Sequence, residues 1–149
     1  MPRRPHLAVL AVLTLAGCGF GAVDVEPYDV TPGSAAACTS LLESLPNVVA
    51  DAVIRDVEPA TLPAAAWGRP AVVLRCGVGV PPEYQPGEIL SEIDGVAWLP
   101  IDGVGGMFFA TVDRDPIVEV AIPDAYHPGD VLADLAPAVS THVPERPPP

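Results

Sequence analysis

The chain has 149 residues, half of them apolar, with seven arginines, no lysine and nineteen acidic residues. The apolar half excludes wholesale disorder. So few cations exclude nucleic-acid binding, which relies on Lys and Arg neutralising phosphates. Aromatic residues number eight and prolines twenty, so the core must be built largely from Val, Leu, Ile and Ala.

The first eighteen residues, MPRRPHLAVLAVLTLAGC, open with Arg3 and Arg4 and continue into an apolar run over 7–16. That run is too short to span a bilayer and suits the apolar region of an export signal. The ending Leu15, Ala16, Gly17, Cys18 resembles the bacterial lipobox, which implies cleavage after Gly17 and diacylglycerol on the Cys18 sulfur. Two or more acyl chains make a stable anchor. Residues 1–17 are therefore expected to be a lipoprotein signal peptide. Five arginines then face nineteen acids, a formal charge of −14 on the mature chain, which the sequence explains as solubility.

Residues 18–34 carry Asp24, Glu26, Asp29 and two prolines with little periodicity, and are expected to be a lipidated flexible tether. A domain of roughly 100 to 120 residues follows, over 35–142. Ser34 is placed to cap a helix over 35–45 that stops against Pro46. Cys38, Leu41, Leu42 and Leu45 fall on its buried stripe. Val53, Ile54 and Val57 favour a short strand, and 61–70 reads as a bend or helical turn. The central strand is WGRPAVVLRCGV, 67–78. Alternation puts Val72, Leu74, Cys76 and Val78 on one side, with Val73 and Arg75 on the other.

Asp94-Gly95 between apolar flanks predicts a hairpin with Ile93 opposite Val96 and Ser91 opposite Trp98. Two more strands, 107–112 and 117–122, are joined by Asp113, Arg114, Asp115 and Pro116. In a last helix, Leu132, Leu135, Ala136 and Val139 repeat the buried stripe, and Pro137 is expected to kink or shorten it. The tail over 143–149 is expected to be disordered. The expected fold is a single small α+β domain. Its antiparallel sheet has about four to five strands, with an N-terminal and a C-terminal helix packed on one face.

Two separate patterns turn a cysteine inward, Cys38 on a helix and Cys76 on a strand, and export places both outside the reducing cytosol. A Cys38–Cys76 disulfide is the expected result, leaving Cys18 for lipid. Arg75, in the central strand yet facing away from the disulfide, needs a carboxylate partner if buried. The alternative is that it lines a concave face for an anionic ligand. Trp67 is expected to cover one end of the core with its indole N–H on a local acceptor. Exposed in an apolar patch, Trp67 or Trp98 would instead be a recognition surface.

No metal or cofactor site is expected. His127 and His142 form no HxxH or HExxH pair, and Asp113 and Asp115 sit in no EF-hand-like loop. No G-x-S-x-G elbow is present, and GVGG at 103–106 lacks the ending of a phosphate loop.

The run W-G-x-P-x-V-x-L-R-C-G is matched by Trp67, Gly68, Pro70, Val72, Leu74, Arg75, Cys76 and Gly77. With the lipobox, the Cys38 helix, the EIDGVAWL hairpin and PIVEVAIPDAY, the chain resembles domain of unknown function family 3515, exported or lipid-anchored proteins of high-G+C Gram-positive bacteria. The resemblance spans about residues 37–139 and implies location and fold boundaries but no catalytic residue. The expectation is an extracytoplasmic envelope lipoprotein on the outer face of the cytoplasmic membrane. It would be a non-enzymatic binding or accessory module whose partner is another envelope protein or a cell-wall component. A secreted envelope hydrolase is the alternative.

Overall fold

A computed structural model describes residues 21–147. The expected signal peptide, residues 1–17, and Cys18 lie outside the described residues. Strand β1 is Val23–Asp24, helix α1 is Ala35–Ser44, and the short strands β2 (Val48–Val49), β3 (Ala52–Arg55), β4 (Val57–Glu58) and β5 (Ala64–Trp67) follow. The longer strands are β6 (Val72–Val78), β8 (Val96–Gly103), β9 (Gly106–Ala110) and β10 (Ile117–Pro123). Strand β7 (Ser91–Ile93) precedes β8, and α2 (Pro128–His142) closes the domain.

Eight strands form one sheet in the order β2-β3-β5-β6-β10-β9-β8-β7, every neighbouring pair antiparallel. The sheet is larger than the four to five strands expected. Its excess lies in β2, β3 and β5, pieces of two to four residues toward one edge, of which only β3 is foreshadowed, by Val53 and Ile54. Strand β5 replaces the bend expected over 61–70. Its Ala65 and Ala66 are both buried, and side chains this small let neighbouring strands and both covering layers come close. Beside the sheet, β1 pairs in parallel with β4.

Both helices pack on the same face. One core cluster joins Cys38 and Leu41 of α1, and Leu132, Leu135, Ala136 and Val139 of α2, to Trp67, Val72, Leu74, Cys76, Trp98, Val118 and Val120. The four α2 positions taken from the sequence stripe are all fully buried. Pro137 neither stops nor shortens this helix, which runs on to His142. Ser34 precedes α1 as expected but makes no side-chain cap. Its hydroxyl donates to the Thr31 carbonyl at 2.7 Å.

The hairpin register at Asp94-Gly95 is the expected one, Ser91 against Trp98 and Ile93 against Val96, with both turn residues at positive φ. Val78 departs from expectation. A register shift leaves Val118 opposite Cys76 but Ile117 opposite Val78, with Gly77 bulged between them at φ +78°. A bulge adds one residue to one strand, so Val78 turns to the opposite face. There it joins Leu99, Ala110, Val112 and Ile117 in a second apolar cluster, covered by Tyr28, Tyr84 and Leu90.

The segment expected to be a tether therefore packs on the domain over its described part. Val23 and Val25 donate backbone hydrogen bonds to Asp56 and Glu58, Val25 is buried, and the Thr31 amide reaches the Gly77 carbonyl at 2.7 Å. Residues 143–146 of the expected disordered tail are also docked. Val143 is fully buried, Arg114 pairs with Glu145 as a β-bridge, and Arg146 donates its amide to Asp113. Arg114, read as part of a turn, is only 4% exposed. Its guanidinium donates to the Val143 and Gly95 carbonyls at 2.7 and 3.3 Å. Buried carbonyls need donors, and Arg114 supplies two in one planar fork.

Cys38 and Cys76 are joined by the expected disulfide, 38 residues apart in sequence. A closed loop of this length restricts the unfolded chain by roughly 3 to 4 kcal/mol. Replacing both cysteines by alanine is expected to lower unfolding free energy by about that amount. Chemical denaturation of the double variant measures it, and an unchanged midpoint would show that the bond adds nothing.

Candidate functional site

Two surfaces gather the residues that sequence reasoning singled out or missed. The first surrounds Arg75 on the sheet face away from the helices. Register places Glu119 of β10 directly opposite Arg75 of β6. The guanidinium Nε donates to Glu119 Oε1 at 3.0 Å, and a second donor, Nη2, reaches the same oxygen. The side chains are 25% and 14% exposed, so the pair is shielded enough to matter. The Tyr28 ring lies against the guanidinium, 5.2 Å from its carbon to the ring centroid, a cation–π distance.

The Tyr28 hydroxyl is shared between the Pro63 and Cys76 carbonyls at 3.0 and 3.1 Å. Burial pushes the Tyr28 phenol up to about 12, opposed only in part by the Arg75 charge. Arg75 thus has its structural ion pair. A shallow groove of about 400 Å³ beside it is bordered by Glu83, Asp102 and Glu119, a carboxylate-rich setting that disfavours an anionic ligand.

The second surface is a groove of about 920 Å³ at the other side of the sheet, lined by residues 50–56 together with Gly68, Arg69 and Tyr126. Gly68 holds φ +71°, and a side chain there would collide with the Tyr126 hydroxyl, which donates to the Pro70 carbonyl at 2.9 Å. Arg55 crosses the floor, donating to the carbonyls of Gly68 at 2.8 Å and Gly21 at 2.5 Å. The groove wall is the β2–β3 hairpin. Its Val53 and Ile54 are 63% and 40% exposed, and Val48, the register partner of Val53, is 49% exposed. The sequence marks Val53 and Ile54 as a short strand, but neither its two-residue partner β2 nor the exposure of the pair, because valines on a two-residue strand carry no periodicity.

Trp67 and Trp98 are both fully buried, which corrects their reading as surface recognition residues. Each lies on the helix-facing side of the sheet, where large rings fill the interlayer space. The Trp67 indole donates to Pro46 at 2.9 Å as expected. His127 stands at the start of α2, 77% exposed and 3.9 Å from Asp130. No group of three metal-ligating side chains occurs among the described residues.

Arg75→Met leaves Glu119 without its cation and is expected to cost about 1 to 3 kcal/mol. Adding Glu119→Gln to it should cost less than the two changes summed. Denaturant midpoints measure both, and additive effects would mean that the two side chains do not couple. Tyr28 makes stability pH-dependent in the alkaline range. Its folded-state value lies above the ordinary 10, so the neutral phenol is favoured in the folded chain. That contribution is complete below about pH 10 and is lost as pH rises through about 12. Tyr28→Phe is expected to flatten the fall of melting temperature across this window.

No curated protein and no solved structure matches this chain. The family described as "Protein of unknown function (DUF3515)" matches residues 5–148. With nearly the whole sequence covered, and the W-G-x-P-x-V-x-L-R-C-G run forming the entry to and body of the central strand, the chain belongs to the DUF3515 family.

Proposed function

We propose that this chain is an exported lipoprotein of the cell envelope. Acyl chains on Cys18 hold it on the outer face of the cytoplasmic membrane, where it serves as a non-enzymatic accessory or binding module. The observation that carries the reading is the Cys38–Cys76 disulfide. It ties α1 to the central strand in a fold whose cysteines number three. Such a bond persists in oxidising compartments, and pairing these two leaves Cys18 alone, at the end of a basic and apolar leader. No helix among the described residues is long and apolar enough to cross a membrane, so a lipid is the attachment that the leader itself offers.

The partner is another envelope protein or a cell-wall component. The hydrolase alternative requires a histidine, an acid and a nucleophile converging in a cleft. His127 lies exposed beside Asp130, a placement that favours the binding module. Metabolic labelling with a fatty-acid probe is expected to mark the wild-type protein and not Cys18→Ala. Equal labelling of the two would overturn the anchor.

A further inference from the structure

The described chain begins at the Arg55 side chain, which holds the Gly21 carbonyl at 2.5 Å. From there β1 runs parallel to β4, Val23 beside Val57. Traced back toward the N-terminus, it therefore points along the sheet edge in the direction of β3 and the β2–β3 turn. Cys18 is three residues before Gly21. Covalent geometry limits three residues to about 11 Å. The headgroup region of one leaflet is itself about 5 to 8 Å thick. An acyl group on Cys18 therefore keeps Gly21, and the edge to which Arg55 fastens it, within about 11 Å of the lipid-bearing residue.

That same edge presents Val48, Val53 and Ile54, three of the seven large apolar side chains exposed on the described surface. Val48 and Val53 are paired across the hairpin, so they form one contiguous apolar spot beside Arg55 and Arg69. These are two of the five arginines in the mature chain. Asp51 and Asp56 lie on the same rim and Asp134 of α2 stands at the hairpin tip, so these two cations face three carboxylates, a smaller acidic excess than in the chain as a whole.

The spot is rigid. Ala50 and Asp51 at its tip hold φ of +46° and +64°, which non-glycine residues adopt at some cost. The Ala50 amide is fixed to Asp134 of α2 at 2.8 Å.

We propose that the β2–β3 hairpin is the membrane-facing surface of this protein, with Val48 and Val53 resting in the headgroup layer of the bilayer that holds the anchor. The proposal rests on the lipid-anchor reading above. Its occupant is a lipid surface rather than a protein, because the attachment point fixes what lies within reach of this edge. Tethering supplies a high effective concentration, so two modest apolar side chains on one face suffice. The contact is apolar at its centre, so it should change little with ionic strength.

The test separates docking from natural lipidation. With Cys38 and Cys76 bonded, Cys18 is the single free thiol of the mature chain. It can be coupled to a maleimide lipid in vesicles of brominated phosphatidylcholine, whether or not cells acylate it. A tryptophan is placed by Val53→Trp or, as a control at the far end of β6, by Val80→Trp; Val80 is 56% exposed. Bromine is expected to quench Val53→Trp by roughly twofold, consistent with burial in the headgroup boundary, and to spare Val80→Trp. Adding Val48→Asp should restore the emission, while the buried Trp67 and Trp98 report that the fold is intact.

Equal quenching at the two sites, none at Val53, or quenching that survives Val48→Asp would overturn the proposal. So would a Val53 site that is unquenched on vesicles yet shielded on intact cells, which would assign the hairpin to a protein partner. Loss of fatty-acid labelling at Cys18 in cells, by contrast, would overturn the anchor and not the vesicle result.

Discussion

The central strand β6 must be covered on both faces, and much of the structure follows from how that is done. On one side the demand is ordinary, since Val72, Leu74 and Cys76 meet α1 and α2 in a common apolar core. On the other, the strand carries Arg75, whose charge is costly away from water unless it is paired. Glu119 supplies the opposite charge at the matching register position, and Tyr28 supplies an aromatic face over the guanidinium. Because Tyr28 also hydrogen-bonds to carbonyls of residues 63 and 76, the segment before α1 is drawn down onto the sheet. One cation in the middle of the sheet thus orders a stretch whose composition alone suggests none.

Gly77 completes that arrangement. Its bulge turns Val78 away from the helices and toward the second cluster. Its positive φ and missing side chain also let Ser34 and Val30 lie directly against the strand. A Cβ at position 77 would meet the Ser34 hydroxyl oxygen at 2.6 Å, so the entry to α1 and the end of β6 can approach this closely only with glycine. The second apolar cluster, the strap over residues 21–34 and the start of α1 depend on one residue of backbone freedom.

Long periodic elements were legible in the sequence, and short ones were not. Both helices, the stripe at Leu132, Leu135, Ala136 and Val139, the Asp94-Gly95 register and the disulfide each follow from a local rule with enough residues to express it. Strands β2 and β5 have two and four residues, and their strand character comes from pairing with β3 and β6, a tertiary effect that no window of sequence contains. The same reason hid Arg114. It reads as a solvated turn cation between two aspartates, and becomes buried only because residues 143–146 fold back over it. The Arg75 pair was legible because a cation inside an apolar strand demands a partner. The exposed hairpin was not, because exposed valines become unusual only once their neighbours are known.

The disulfide gains a further meaning from where the strap runs. Starting at Gly21, the chain is fastened first to Arg55, then through β1 to β4, then by Tyr28 and Thr31 to β6, before α1 begins. Most of these are single hydrogen bonds near the surface, the kind of contact that opens locally at low free energy while the core stays closed, with the buried Val25 and the half-buried Tyr28 the firmer points among them. Any pull on the N-terminus acts on them in series, from the outside inward. The sequence of openings stops at Cys38, because there the chain is covalently joined to Cys76 in the strand that both layers bury. A load applied at the N-terminus therefore passes to the middle of the sheet rather than to its edge. In the middle, β6 is held by β5 on one side and β10 on the other, and displacing it would have to break both ladders at once. Under the anchoring proposed above, this is where the covalent link would protect the core most effectively.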